Sequence, residues 1–474
     1  MRALNQRFIY FICVVAAFGG LLFGYDWVVI GGAKPFYEVY FGITDSAANQ
    51  GLAMTMALLG CMIGASICGS LADRIGRRKL LILSSLIFFF SAIATGAFNN
   101  FNAFLFARFV SGIGIGVASG LSPMYIAEVA PSKIRGRLVS LNQMTIVLGI
   151  LGAQITNWLI ADDIEGGVIV LESWNAQMGW RWMFWAAAVP AVFFFVLALF
   201  IPESPRWLAL KGKQSSEKAM HILEKIGGSD YAREEMTSIE RANAEAASAA
   251  GLSTLLTRPF RKVMLLGIFI AVFQQWCGTN VIFNYAQEIF QSAGYEVGDV
   301  LFNIVVTGVA NVIFTILAIF TIDKWGRRTM MLLGAGGLMG IYAILGACYY
   351  FQVTGVGMVV LVVAAIACYA MTLGPCTWVL ISELFPNNVR AIAVATCTFA
   401  LWVGSSTLTY TFPFLNQHLG SYGTFWIYSC VCLLGFVVFL LRLPETKGKS
   451  LEELEKELVT PPITPPNLPE GEEL

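Results

Sequence analysis

Asp73-Arg74-Ile75-Gly76-Arg77-Arg78 closes one apolar run and opens the next, and Asp323-Lys324-Trp325-Gly326-Arg327-Arg328 does the same half a chain later. Each copy has an acid at a helix end, a glycine for a tight reversal and a cluster of basic residues. Lys and Arg between apolar helices are retained on the cytoplasmic side, so both loops belong to that face. Two such loops at this spacing require two similar halves in one orientation. The fold expected is an all-α membrane protein, with twelve transmembrane helices in two six-helix halves.

Composition agrees with that frame. Of 474 residues, 57% are hydrophobic and 13% are charged, whereas soluble domains carry about a quarter charged residues. The formal net charge is zero, so no global basic field points to nucleic acid. His221 and His418 lie far apart, and no Cys/His cluster has metal-ligand spacing. No metal and no cofactor is expected. The ten cysteines fall in apolar runs and read as small core residues rather than a disulfide framework. The first apolar run begins near Phe8 and is long enough to span, so it reads as the first helix and not a removed leader.

A spanning helix needs about 20 mostly apolar residues. Twelve stretches qualify: 8–31, 50–71, 80–98, 103–126, 137–161, 181–201, 262–284, 301–322, 330–351, 357–380, 391–413 and 424–442. An even count places both termini on one side. The outer loops then hold Lys34 and, at a helix edge, Arg181, against Glu38, Asp45, Asp162, Asp163, Glu165, Glu172, Glu288, Glu296 and Asp299. Nearly every other basic residue falls on the opposite face, which is cytoplasmic by the same rule.

The domain divisions are 1–202, a cytoplasmic linker 203–261, a second half 262–443 and a cytoplasmic end 444–474. The linker should hold helices over 215–226, capped by Ser215, and over 230–250. Ser450-Leu451-Glu452-Glu453 is a capping box, and Leu451, Leu454 and Leu458 form a stripe behind it, so a short helix should start there. Beyond Val459 the Pro- and Glu-rich tail should be disordered. The halves also echo each other elsewhere. Glu128-Val-Ala-Pro-Ser-Lys-Ile-Arg135 is answered by Glu383-Leu-Phe-Pro-Asn-Asn-Val-Arg390, and Pro202-Glu203-Ser204-Pro205-Arg206 by Pro444-Glu445-Thr446-Lys447-Gly448. Three matched pairs in the same order indicate internal duplication.

These motifs resemble the sugar porter family of the major facilitator superfamily. The resemblance runs from about residue 8 to residue 458. Asp73-Arg74-x-Gly76-Arg77-Arg78, Pro202-Glu-Ser-Pro-Arg-Trp207, Gln274-Gln275-x-x-Gly278-x-Asn280, Gly374-Pro375-x-x-Trp378 and Pro444-Glu-Thr-Lys-Gly448 carry it. Paired halves rocking about a midplane site are a known property of that superfamily. Short loops and tails are most similar to bacterial proton-coupled pentose and hexose symporters. The resemblance thus implies a monosaccharide and protons as partners, in a monomer embedded in the lipid bilayer. Outer loops without an Asn-x-Ser/Thr acceptor agree with a bacterial inner membrane.

At the cytoplasmic helix ends stand Asp73, Arg74, Arg77, Glu128, Arg135, Glu203, Asp323, Arg327, Glu383, Arg390 and Glu445. Retention of basic residues explains the arginines but not the matched glutamates. Each acid recurs beside a basic partner, so ion pairs between the halves are expected, and the resemblance implies that they close the inner gate in the outward-facing state. One pair in high dielectric contributes only about 0–1 kcal/mol, but several forming together bias a two-state equilibrium.

A sugar offers hydroxyls and an apolar ring face, which carboxamides and an aromatic plate would match. Gln143, Gln274, Gln275, Asn280 and Asn311 match the family's sugar-contact amides, with Phe23, Gly374, Trp378 and Trp402 beside them. Gln274 and Gln275 are adjacent and point about 100° apart on a helix, so one is expected to face the sugar. Each amide can equally serve as interhelical glue, and Trp378 as a packed aromatic. Its place after Gly374-Pro375, which can break the helix, favours the plate. Two departures bear on the choice of sugar. Many relatives carry two tyrosines where this chain has Asn284-Tyr285, and often an amide where it has Leu401 before Trp402.

Asp26 is the acid of most interest within a span. A charged residue at a helix centre costs about 2.5–3.5 kcal/mol on insertion scales, so it needs a partner or a proton. Arg108 matches the family's basic partner, and an acid at this position marks the family's proton-coupled members. A static Asp26–Arg108 strut is the alternative. The second membrane acid that some symporters carry on helix six is absent, since the chain there reads Ala186-Ala187-Ala188. The rival readings are a facilitative uniporter and a non-transporting sugar sensor, the latter disfavoured by the short tail. An enzyme is disfavoured because no nucleophile–base pair or phosphate loop is present. Gly112-Ile113-Gly114-Ile115-Gly116 follows a helix, not a strand, and reads as close helix packing.

Overall fold

Backbone amides inside a bilayer must be satisfied within the chain, and the described residues do so with helices. The computed structural model describes residues 4–131, 134–162, 169–211, 213–246, 258–295, 297–385 and 389–447. The first half comprises α1 (Gln6–Phe41), α2 (Ala47–Ile75), α3 (Arg77–Ala97), α4 (Phe101–Val129) and α5 (Arg135–Ile160). Its sixth crossing is broken into a π-turn at Asn175–Gly179, α6 (Trp180–Ala186) and α7 (Ala188–Ala198). The linker forms α8 (Pro205–Ala209), α9 (Lys213–Gly227) and α10 (Ser229–Ala246), close to the two helices expected there. The second half follows with α11 (Arg258–Trp276), α12 (Thr279–Asn284), α13 (Ala286–Ser292), α14 (Val297–Trp325), α15 (Arg327–Tyr350), α16 (Val356–Met371), α17 (Leu373–Glu383) and α18 (Arg390–Arg442). The last contains two crossings: the backbone leaves helical geometry at Gly420, with φ 65° and ψ 176°. The short helix expected after Ser450 and the tail lie outside the described residues.

Both repeat loops pivot on their glycine. Gly76 has φ 100° and Gly326 φ 85°, a region that only glycine enters without steric cost. We call this the repeat-loop end; α1 starts there too, with Asn5 N–H bonded to the Ile226 carbonyl of the linker. The glycine run in α4 is a packing seam. A Cβ on Gly112 would lie 1.9 Å from the Ala57 carbonyl oxygen and one on Gly116 2.2 Å from that of Cys61, while Gly114 faces Ile87 of α3. Backbone contact of α2 with α4 therefore depends on residues with no side chain.

Charged residues expected at the outer surface lie inside the helices. Lys34 and Glu38 are not in an outer loop: α1 continues through Pro35 to Phe41, and both residues are buried inside it. Mutual neutralisation with Glu288 makes that burial possible. Arg181, expected at a helix edge, is also buried. It donates to the carbonyls of Gly96 and Gln177 and to Asn99, and stacks over Tyr40 and Trp180.

Candidate functional site: a buried ion pair and a chain of amides

Asp26 on α1 and Arg108 on α4 meet in the interior, 4% and 1% exposed. Arg108 Nη1 lies 3.0 Å from both carboxylate oxygens, and Nη2 donates to the Asp26 main-chain carbonyl at 3.3 Å. Ser111 Oγ donates to Asp26 Oδ2 at 2.9 Å. The guanidinium also sits over the Phe184 ring, 5.4 Å from its centroid. Burial of both charges is tolerable because each is paired and hydrogen-bonded. Ser111 is not among the residues that the sequence motifs single out. Its signal was present: it lies three residues after Arg108, on the same helix face.

The helix-seven amides line up at a break in the crossing. Gly278, at φ 90°, separates α11 from α12. Across that break Tyr369 Oη accepts from Gln274, Gln274 Oε1 accepts from Gln275, and Gln275 Oε1 accepts from Asn280. Adjacent Gln274 and Gln275 therefore belong to one hydrogen-bonded chain. Asn280 Oδ1, Asn284 Oδ1 and Trp402 Nε1 are buried and make no hydrogen bond among the described residues. Asn311 is buried on α14, and Gln143 is half-buried on α5.

The aromatic members divide. Phe23 of α1 meets Trp402 of α18 edge-on at 5.9 Å and stacks on Trp27 at 5.8 Å, so an aromatic contact bridges the halves. Trp378 is 41% exposed and has no ring partner among the described residues. The break that precedes it falls at Thr372, with φ −122° and ψ −84°, and not at Gly374-Pro375. Those two residues occupy the first turn of α17, where proline's missing N–H removes no helical bond. Tyr369 and Trp27 had no distinguishing pattern in the sequence, because aromatic residues are common throughout these spans.

At the repeat-loop end, the ion pairs run within each half, whereas pairing between the halves is expected where the inner gate is shut, in the outward-facing state. Arg77 holds Glu128 at 2.9 Å and Asp73 at 2.9 Å; Arg327 holds Glu383 at 3.1 Å. Glu203 accepts from the main-chain amides of Arg77 and Arg78, and Glu445 from those of Arg327 and Arg328. The physical reason is reach: the arginine that opens α3 or α15 stands beside its own half's neighbouring helix end, where a carboxylate also complements the exposed N–H groups. Arg135 instead approaches Glu235 of α10 at 4.0 Å, a residue that Arg206 also approaches at 3.8 Å. Arg74 forms no ion pair among the described residues, and the side chains of Asp323 and Arg390 lie outside them.

Residues 12–458 match the family profile described as "Sugar (and other) transporter". The chain belongs to the sugar transporter family. Among its relatives, this transporter is 37% identical over 456 residues to the arabinose-proton symporter of Bacillus subtilis, covering 96% of each chain. It is 36% identical over 482 residues to the D-xylose-proton symporter of Escherichia coli, covering 95% of this chain and 96% of the relative. Its structure is similar to the partially occluded, inward-open E. coli xylose transporter, with TM-score 0.82 and 35% identity over 94% of this chain and 100% of the other. The transporter is therefore a multi-pass membrane protein with the major facilitator fold.

Proposed function

We propose that this transporter carries a monosaccharide, a pentose or hexose, into the cell together with protons by alternating access. The observation that carries the proposal is Asp26, a buried carboxylate whose partners are Arg108 and Ser111. A proton on Asp26 removes the charge that holds the guanidinium and loosens α1 from α4. Its return to the deprotonated form re-forms the pair. An acid so placed can couple proton binding to helix movement. The names of the arabinose and xylose relatives agree with this coupling.

The sugar would bind where the amide chain ends. Gln143, Gln274, Gln275, Asn280, Asn284 and Asn311 would supply donors and acceptors for hydroxyls, and Phe23, Trp378 and Trp402 would supply apolar faces, with Gly374 beside them. Unpaired polar atoms on Asn280, Asn284 and Trp402 fit a polyol. The repeat-loop end would face the cytoplasm, with both termini, because it holds most of the basic residues. A bacterial inner membrane location, monomeric action and domain divisions at 202, 261 and 443 complete the proposal. The conformation is closed at the end opposite the repeat loops, where Lys34 bridges the halves to Glu288; it corresponds to an inward-facing stage.

Proteoliposome uptake with and without an imposed inward proton gradient tests this, for the native chain and Asp26→Asn. Symport predicts gradient-driven accumulation that disappears in the variant while sugar counterflow persists. Equal, non-accumulating uptake in both would make the protein a facilitator and Asp26 a strut. Sugar binding without uptake would make it a sensor.

A further inference from the structure

The first crossing carries a lysine and an acid one turn apart, Lys34 and Glu38, about two turns beyond Asp26 along the helix. Both are buried, 2% and 6% exposed. Lys34 Nζ pairs with Glu38 Oε1 at 3.0 Å on its own helix, and with Glu288 of α13 across the boundary between the halves. The ammonium also lies over the Tyr285 ring, 5.4 Å from its centroid. The backbones touch just below: a Cβ on Gly31 would be 2.9 Å from the Phe283 carbonyl oxygen. Tyr349 Oη, donating to the Ile289 carbonyl, ties α13 to α15.

We infer that Lys34, Glu38 and Glu288 form a charge latch that holds the outer side shut and must part for the outward-facing state. The asymmetry of the three suits this task. When α13 swings away, Lys34 keeps Glu38 on its own helix, so opening strands no cation. When the halves close, Glu288 adds the second carboxylate and the cluster is desolvated together. Without Lys34, closing would press two carboxylates into one buried contact, which is strongly unfavourable. The latch also adjoins the proposed sugar site: Asn280 and Asn284 lie on α12, and Glu288 on α13 just beyond the helix break at Tyr285, φ −126° and ψ 26°.

The inference rests on alternating access, and its test reads conformation rather than transport. Failure of the latch and failure of sugar symport are therefore separable. Ala286, 3% exposed beside the latch, is replaced by cysteine, and intact cells are treated with a membrane-impermeant maleimide. The same chain without that cysteine supplies the background. Lys34→Met should raise the labelling rate about tenfold or more, by favouring the open state. Lys34→Glu with Glu288→Lys restores the pair across the halves and should bring the rate back to the parent's or below it, since it sets two acids one turn apart on α1 whenever the halves part. An unchanged rate in Lys34→Met overturns the latch. So does a raised rate that the reversed pair fails to restore, since that would mark lost packing. Glu288→Gln, nearly isosteric, should raise the rate in the same direction and serves if Lys34→Met does not fold; no change there also overturns the inference.

Discussion

Glu203 sits over the first turn of the helix that Arg77 opens, its Oε1 accepting from Arg77 N–H at 2.8 Å and from Arg78 N–H at 2.9 Å. Glu445 does the same for Arg327 N–H at 2.9 Å and Arg328 N–H at 3.2 Å. The glycine before each arginine leaves room for the acid: a Cβ on Gly76 would be 2.5 Å from Glu203 Oε2, and one on Gly326 2.6 Å from Glu445 Oε2. The acid, the glycine and the arginine of the repeated motifs are thus one capping device used twice. Glu203→Ala and Glu445→Ala should each lower stability by about 1–2 kcal/mol through loss of a charged cap. Thermal unfolding in detergent measures this, and comparable losses are expected in the two halves.

The buried pair should respond unequally to removal of its members. Arg108→Ala leaves Asp26 without its guanidinium and should cost about 3–5 kcal/mol, while Asp26→Asn keeps a polar partner of similar size and should cost less. Expression level and melting temperature report the difference. Ser111→Ala removes one hydrogen bond to the carboxylate, about 1.5–3 kcal/mol, and should weaken proton-driven accumulation without abolishing it.

Breaking the amide chain at its end should impair sugar recognition more than folding. Asn280→Ala removes the group that donates to Gln275 and frees Gln275 to reorient. Sugar affinity should fall about tenfold or more, a loss of roughly 1–3 kcal/mol. Isothermal titration against a panel of pentoses and hexoses measures it, and the same panel identifies the sugar.

Close contact of α2 with α4 predicts a sharp contrast between glycines. Gly112→Ala would drive a methyl group to 1.9 Å from the Ala57 carbonyl oxygen, forcing the helices apart at about 1–3 kcal/mol. Gly69→Ala on α2 meets nothing within 4 Å and should be neutral or stabilising by up to about 1 kcal/mol through helix propensity. The two variants, compared by melting temperature, separate packing from helix propensity.

Most of the architecture was legible from residues alone, since crossing a bilayer imposes length, apolarity and helicity at once. The duplicated motifs established the halves, and the crossings emerged near their expected places. Helix ends were less legible: α1 runs on to Phe41 because Lys34 and Glu38 are neutralised by Glu288, a residue far along the chain. Hydropathy counts such charges against a span and cannot see their partners.

The site shows the same division. The sequence by itself determined which residue types had to be accommodated inside the membrane: Asp26 with Arg108, the amides of α11 and α12, and the arginine–glutamate sets after each reversal. A buried charge or amide announces its need for a partner, whatever the fold. Only the tertiary structure decided the partners. It joined Ser111 to Asp26 and Tyr369 to Gln274, paired Arg77 with Glu128 and Arg327 with Glu383, and brought Lys34 against Glu288. Side-chain reach and helix packing set those choices, and both depend on distances in space that spacing along the chain does not encode.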